Sequence, residues 1–342
     1  MRFDFTAEQI ALKDSVSRLF QTQSSAETLR QLWNSESGRN LDLWAGLGQI
    51  GVTGVLIPEE FGGLGGDETD LCLVLEETGK YCVPDAVLEG CFLAPTVIKL
   101  TGTQAQKEKW LPGIAAAELR AAVGLKGTTY VPDAHISDLV ILERGNGFVI
   151  LEHGDFTTRR ATSMDQSRRL FEVQFAAGAG STLEADESTL EAIHSRQQAG
   201  SAAVLNGLAD RMIELTTEYT KIRKQFGRIV GSFQAVKHQL AQAVSLNALS
   251  TRAARTAMYR VAHDDISAVD SARLARICAV EAEFESNRAA LQLHGGIGFT
   301  WENDLQNWLK RGKALEQAHG GYVAQLAIAG ASGVGASPSN AV

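Results

Sequence analysis

The sequence predicts an α+β chain, mostly α: a helical N-terminal region, a small middle β module and a C-terminal bundle of long helices. Three observations predict it. Apolar residues recur at helical spacing through residues 1–120. Short apolar runs bounded by Gly, Asp or Asn fill residues 121–185. Helical spacing then returns over residues 186–332, in spans that exceed about 25 residues.

The elements follow in chain order. Thr6 and Gln9 make a capping box that opens a helix through Phe20. Leu41–Ile50 and Asp70–Lys80 carry helical apolar spacing. Between them Gly62, Gly63, Gly65 and Gly66 form a loop, because glycine at that density loses too much backbone entropy to sit in a helix. Ala121–Leu125, Asp138–Leu142, Gly147–Leu151 and Arg169–Phe175 read as antiparallel strands. Ala185–Tyr219, Phe233–Ala262, Ile266–Leu293 and Gln317–Ala329 read as helices. Short breaks at Gly231 and Asp264–Asp265 favour an antiparallel bundle, a form that often packs against another copy. The tail 333–342 is small and polar and is expected to be disordered.

Composition excludes several classes. With 44% hydrophobic residues in 342, the chain can bury a sizeable core. A net charge of −8 and no dense Lys/Arg run argue against nucleic-acid binding. Cys72, Cys82, Cys91 and Cys278 form no C-x-x-C pair, so reduced and mostly buried thiols are expected. The N-terminus lacks the pattern of a signal peptide, and no apolar run approaches the ~18 residues of a membrane span. A soluble, cytoplasmic protein is expected.

Isolated polar groups suggest little chemistry. His263-Asp264-Asp265 reads as a helix-ending turn rather than a metal site. Asp133, His135 and Asp138 read as a turn, and His238 as a packing residue. His153 and His194 have no evident partner.

Two segments carry more. Arg223-Lys224-Gln225-Phe226-Gly227 closes a long helix, and Phe233-Gln234 opens the next. Arg offers a rigid donor fork suited to a pyrophosphate, Gln225 a directional donor, and Phe226 an aromatic face. Gln292-Leu293-His294-Gly295-Gly296-Ile297-Gly298-Phe299-Thr300 ends another helix, and its glycines let backbone approach a ligand with no Cβ in the way. Taken singly, each segment also fits a solvated helix end or a glycine cap.

Together, R-x-x-F-G, F-Q and Q-x-x-G-G-x-G-F-T resemble the C-terminal domain of the acyl-CoA dehydrogenases. Ile57-Pro58-Glu59-Glu60-Phe61-Gly62-Gly63-Leu64-Gly65 is similar to that family's P-E-E-[YF]-G-G-x-G loop. The resemblance implies the acyl-CoA dehydrogenase fold: an N-terminal helical domain (1–120), a reduced middle β domain (121–185) and a C-terminal four-helix bundle (186–332). It implies FAD as cofactor. It places Arg223, Gln225, Phe226, Gln292, Gly295 and Gly296, with Gln234 as an addition, against the flavin of a neighbouring subunit.

The family pattern also breaks. A carboxylate must take the weakly acidic α-proton of the thioester. Counting from Lys313 puts His319 at the usual glutamate position, and counting back from Arg223 puts Gln197 at the alternative one. The T-E-P-x-x-G-S-D segment is absent, and no Trp occurs between Trp110 and Trp301 to stand beside a flavin. Strands that follow that segment in the family are expected to be missing. The pattern resembles the short subunits of the bacterial α2β2 acyl-CoA dehydrogenases of sterol and bile-acid side-chain degradation. It implies a larger homologous partner that supplies the carboxylate, an acyl-CoA substrate, and electron-transfer flavoprotein or a similar acceptor. Two alternatives stay open: a homomeric enzyme with His319, or less well Glu316, as an unusual base, and a flavin-free structural or regulatory subunit.

Overall fold

In the computed structural model, which describes residues 4–126, 130–318 and 321–331, Thr6 and Gln9 close the expected capping box and start α1 (Ala7–Gln23). The Ser25 hydroxyl accepts the Thr28 N–H to start α2 (Ala26–Trp33), and the Asn40 side chain accepts the Asp42 N–H to start α3 (Leu41–Ile50). The glycine loop leads into α4 (Glu68–Lys80). A π-helical turn at Leu88–Leu93 then runs into α5 (Ala94–Thr101), followed by α6 (Gln104–Ala115).

The middle region holds more strands than its apolar runs suggest. β1 (Ala121–Gly124), β2 (Val131–Pro132), β3 (Leu139–Arg144), β4 (Gly147–Glu152), β5 (Phe156–Ala161), β6 (Leu170–Phe175) and β7 (Ser181–Glu184) form two sheets. Their orders are β1-β3-β4-β7 and β2-β6-β5. β5 and β7 escape a search for apolar runs because they are polar and partly exposed, and β2 is only two residues long. One pairing also corrects the expectation of antiparallel strands. β1 runs parallel to β3, from Ala121↔Leu139 to Gly124↔Leu142. Residues 125–138 between them are long enough for a crossover rather than a hairpin.

The four-stranded sheet separates two apolar clusters. Val123, Ile141 and Ile150 face the helices. Their neighbours Ala122, Val140, Leu142 and Leu151 face the second sheet, with Val131 and Phe171. Alternation along each strand puts successive side chains on opposite faces, so β3 and β4 are apolar on both.

The C-terminal half begins with α7 (Glu187–Ile222), capped by Asp186, which accepts the Thr189 N–H. A hairpin of β8 (Lys224–Gln225) and β9 (Arg228–Ile229) joins it to α8 (Gln234–Ala262), and α9 (Ala268–His294) follows. α7, α8 and α9 pack on one another. A separate helix that the sequence reading did not find, α10 (Leu305–Gln317), packs against α7 and α9, and the expected helix Gln317–Ala329 starts instead at Gly321, as α11 (Gly321–Ala331) against α9. The break follows from an extended backbone at Ala318 and a left-handed φ of 74° at Gly321, which a continuous helix forbids. His319 and the tail 333–342 lie outside the described residues, as does Gly127-Thr128-Thr129.

α4 and α7 cross at glycines. A Cβ at Gly79 would overlap the Val204 carbonyl, and one at Gly207 the Glu76 carbonyl. The sheets are tied to the helices by buried ion pairs. Asp133 is not a simple turn residue: at φ 60° it accepts Arg39 Nε at 2.9 Å and the Ala86 N–H at 3.0 Å. Arg311 of α10 pairs with buried Asp165 in the same way. His238 is exposed on α8, so in the single chain it is not the packing residue its helix position suggests. Cys72, Cys82 and Cys91 are buried and all four thiols are free.

Candidate functional site

α7 and α9 end at the same end of the bundle, and a ring stack joins them. Tyr219, four residues before Arg223, lies against His294 with ring centroids 4.3 Å apart and planes 16° from parallel. His294 Nδ1 lies 2.9 Å from the Ala290 carbonyl oxygen, and burial holds its pKa below the ordinary imidazole value, so the stacked ring is neutral near pH 7. The two glycine-containing motifs therefore sit side by side. Sequence reading missed this pair, although His294 belongs to one motif and Tyr219 lies about one helical turn before the other.

The first motif folds as a two-residue hairpin. Phe226 and Gly227 both have positive φ, 52° and 76°, which a type I′ turn requires. Arg223 leaves the helix in extended conformation, and its carbonyl accepts the Val230 N–H at 2.8 Å. Phe226 is 90% exposed and meets Phe233 edge to face, with ring centroids 6.2 Å apart. The Arg228 guanidinium covers the Phe233 face at 3.9 Å. The side chains of Arg223, Gln225 and Gln234 all face solvent.

The second motif is an open backbone turn. Gly295 caps α9 at φ 65° and ψ −146°, a region that glycine alone occupies without strain. A Cβ built at Gly295 or Gly296 meets nothing within 4 Å, so the space beside this turn is free. Gln292 is exposed one turn earlier. Phe299 and Trp301 beyond it are 74% and 63% exposed. Phe226, Phe299 and Trp301 are thus exposed rings that lie in or just beyond the two motifs.

The candidate base positions lie elsewhere. Gln197 is buried on α7, 26 residues before Arg223, which at 1.5 Å per residue separates them by about 39 Å. Glu316 is on α10 and pairs with Lys313 at 2.6 Å. Around Gln197, β3, α7, α9 and α11 wall a cleft of about 390 Å³. There His194, to which the sequence assigned no partner, meets Glu143 at 2.8 Å. No described group of three His, Cys, Asp or Glu could hold a metal, and His263 stacks on Tyr259 in a helix-ending turn as read from sequence.

Family models decide the identity. The acyl-CoA dehydrogenase N-terminal domain matches residues 6–118, and the acyl-CoA dehydrogenase C-terminal domain matches residues 180–332. The chain belongs to the acyl-CoA dehydrogenase family. It is 35% identical to acyl-CoA dehydrogenase IpdE2 of Mycolicibacterium smegmatis, over 92% of this chain and 94% of that protein. The ChsE4-ChsE5 complex from Mycobacterium tuberculosis shares its fold, with a TM-score of 0.88 and 21% identity over 99% of this chain and 100% of that one. The steroid ACAD Tcur3481-Tcur3483 does too, with a TM-score of 0.84 and 24% identity over 96% and 99%. The two sheets of this acyl-CoA dehydrogenase fall largely between the two matched spans. No described helix is long and apolar enough to cross a membrane.

The motif end of the molecule fits FAD. Arg223 is exposed and pairs with no carboxylate among the described residues, and the glycine turn leaves room for a phosphate group against its backbone.

Proposed function

We propose that this chain is the FAD-site-completing subunit of a heteromeric acyl-CoA dehydrogenase acting on bulky acyl-CoA thioesters of the sterol or bile-acid type. One observation carries the reading. The flavin-contact motifs face outward at one end of α7, about 39 Å from Gln197 and the cleft within the same chain. Residues so placed serve a ligand held largely by another subunit. Arg223 would bind the pyrophosphate, Gln225, Gln234 and Gln292 would orient the cofactor, Phe226 would cover it, and Gly295 and Gly296 would let backbone approach it. The flavin, when bound, supplies the hydride acceptor. A larger homologous subunit would supply the carboxylate that takes the α-proton, and electron-transfer flavoprotein or a similar carrier would reoxidise the pair.

Two further facts support the heteromer. Neither Gln197 nor His319 is a carboxylate. Fold neighbours include the ChsE4-ChsE5 complex and the steroid ACAD Tcur3481-Tcur3483, each named for two proteins.

The test is a flavin count. The chain is purified alone and with its partner, and bound FAD is measured against protein. The expected result is little flavin on the lone chain and fewer flavins than chains in the active complex. A lone chain that binds one FAD per subunit and oxidises acyl-CoA would refute the proposal.

A further inference from the structure

Where α4 meets α7 and α8, a polar cleft of about 170 Å³ opens on another face of α7. Asn206 of α7 follows Gln197 by nine residues, which at about 3.6 residues per turn is two and a half turns, and so lies on the opposite side of the helix. Asn206 and Asn247 of α8 line this cleft and are only 2% and 8% exposed. The Ser250 hydroxyl donates to Asn206 Oδ1 at 2.5 Å, which sets the direction of that amide. Asn206 Nδ2 and Asn247 Oδ1 have no hydrogen-bond partner among the described residues, and so do not bond to each other. Native proteins rarely leave buried polar groups unpaired, so a donor and an acceptor unmet in one cleft point to a group that answers both.

The charges around them are matched, with one exception. Arg255 gives Nε and Nη2 to Glu76, each at 2.8 Å. Lys80 Nζ donates to Asp210 at 3.1 Å and to Glu214 at 2.5 Å. The Thr251 hydroxyl donates to the Asn247 carbonyl at 2.8 Å. The exception is Glu77, whose Oε1 lies 3.9 Å from Lys13 Nζ and whose buried Oε2 has no partner. The unmet set is therefore one N–H donor and two oxygen acceptors. A primary carboxamide is its complement, with one carbonyl oxygen and two N–H groups. A carboxylate ligand has no N–H to offer and would join Glu76, Glu77 and Asp210 in the lining. An ammonium has no acceptor for Asn206 Nδ2. Water can donate and accept, but its ~30 Å³ fills a small part of the cleft.

We propose that this cleft binds a small molecule bearing a primary carboxamide. Its carbonyl accepts from Asn206 Nδ2, one N–H donates to Asn247 Oδ1, and the second is left for Glu77 Oε2. The inference does not rest on the flavin reading, because none of these residues belongs to the flavin motifs.

The probe is nicotinamide, titrated into the full chain and followed by saturation-transfer difference NMR. A saturable signal is expected. Nicotinate has the same shape without the N–H groups, and 3-acetylpyridine keeps only the carbonyl; each should bind at least about tenfold more weakly. No saturable nicotinamide signal, or equal binding of all three compounds, leaves the cleft to water and overturns the proposal. Asn247→Leu keeps the side-chain volume and removes the acceptor, and should weaken nicotinamide by about tenfold. Unchanged affinity in that variant places the probe elsewhere and also overturns the proposal. Should Asn247→Leu not fold, Thr251→Trp at the half-buried lining fills the same space and should expel the probe; full retention of binding there is equally fatal. N-acetylglutamine methylamide, titrated alongside, tells a glutamine side chain from a free amide by which of the two binds more tightly.

Discussion

At Gly295 and Gly296, backbone strain and ligand space can be separated. Both positions have open space where a Cβ would go, but only Gly295 has positive φ. Gly295→Ala should therefore cost about 1–3 kcal/mol of stability. Gly296→Ala should stay within ~0.5 kcal/mol. Both should lower the flavin retained by the assembled enzyme, because both narrow the cradle. Thermal melts and flavin absorbance on the same samples check this, and a Gly296→Ala complex with full flavin would remove the glycine turn from the site. Asp133 presents a different case. Its carboxylate neutralises Arg39, which is buried beside it. Asp133→Asn keeps the shape and tolerates the left-handed backbone, yet strands the cation. A loss of about 3–5 kcal/mol is expected in urea unfolding.

At the scale of elements, helix contacts set both spacing and charge. α4 and α7 touch through Gly79 and Gly207, so Gly207→Ala must push the helices apart and should cost about 1–3 kcal/mol, read as a lower melting temperature. The α9–α10 contact buries Glu283 against Gly312, where a Cβ would overlap the carboxyl. Burial raises the Glu283 pKa to about 8, opposed by Lys313 and reinforced by Glu316. The unfolded chain loses that proton near the usual glutamate value of 4.5. Between these values the native state binds one more proton than the unfolded state, so this group makes stability fall as pH rises from about 4.5 to about 8. Glu283→Gln should flatten the decline by a few kcal/mol across that window. Melting temperatures at both ends of the window, for parent and variant, would test it, and equal slopes would show that Glu283 does not titrate there.

For the whole molecule, α7 acts as a spacer. It carries the Tyr219–His294 stack and the exposed hairpin at one end and the Gln197 cleft towards the other. Arg223→Ala should leave the chain folded, since the side chain is exposed, and should still cut the flavin content and turnover of the complex by tenfold or more, on the order of a lost charge-assisted contact. Unchanged flavin content would place the cofactor elsewhere. Phe226, Phe299 and Trp301, in or just beyond the two motifs, are exposed rings of the kind that a partner covers.

Local chemistry was legible where it repeats along the chain. The Thr6–Gln9 box, the ends of α3, the starts of α8 and α9 within two residues, and the family itself all follow from spacing and motif. β5 and β7 were not legible, because polar edge strands carry no apolar run, and the parallel β1–β3 pair was not, because pairing joins residues far apart in sequence. The Arg39–Asp133 pair spans 94 positions, and Glu143–His194 spans 51. No local pattern marks either, since a buried charge is recognised only by the partner that folding brings to it. By itself the sequence determined the family and offered the two motifs as candidates to meet a flavin. Only the tertiary structure decided that those residues share one outward-facing end of the bundle, because helix length and packing, rather than motif, set the distance between two sites.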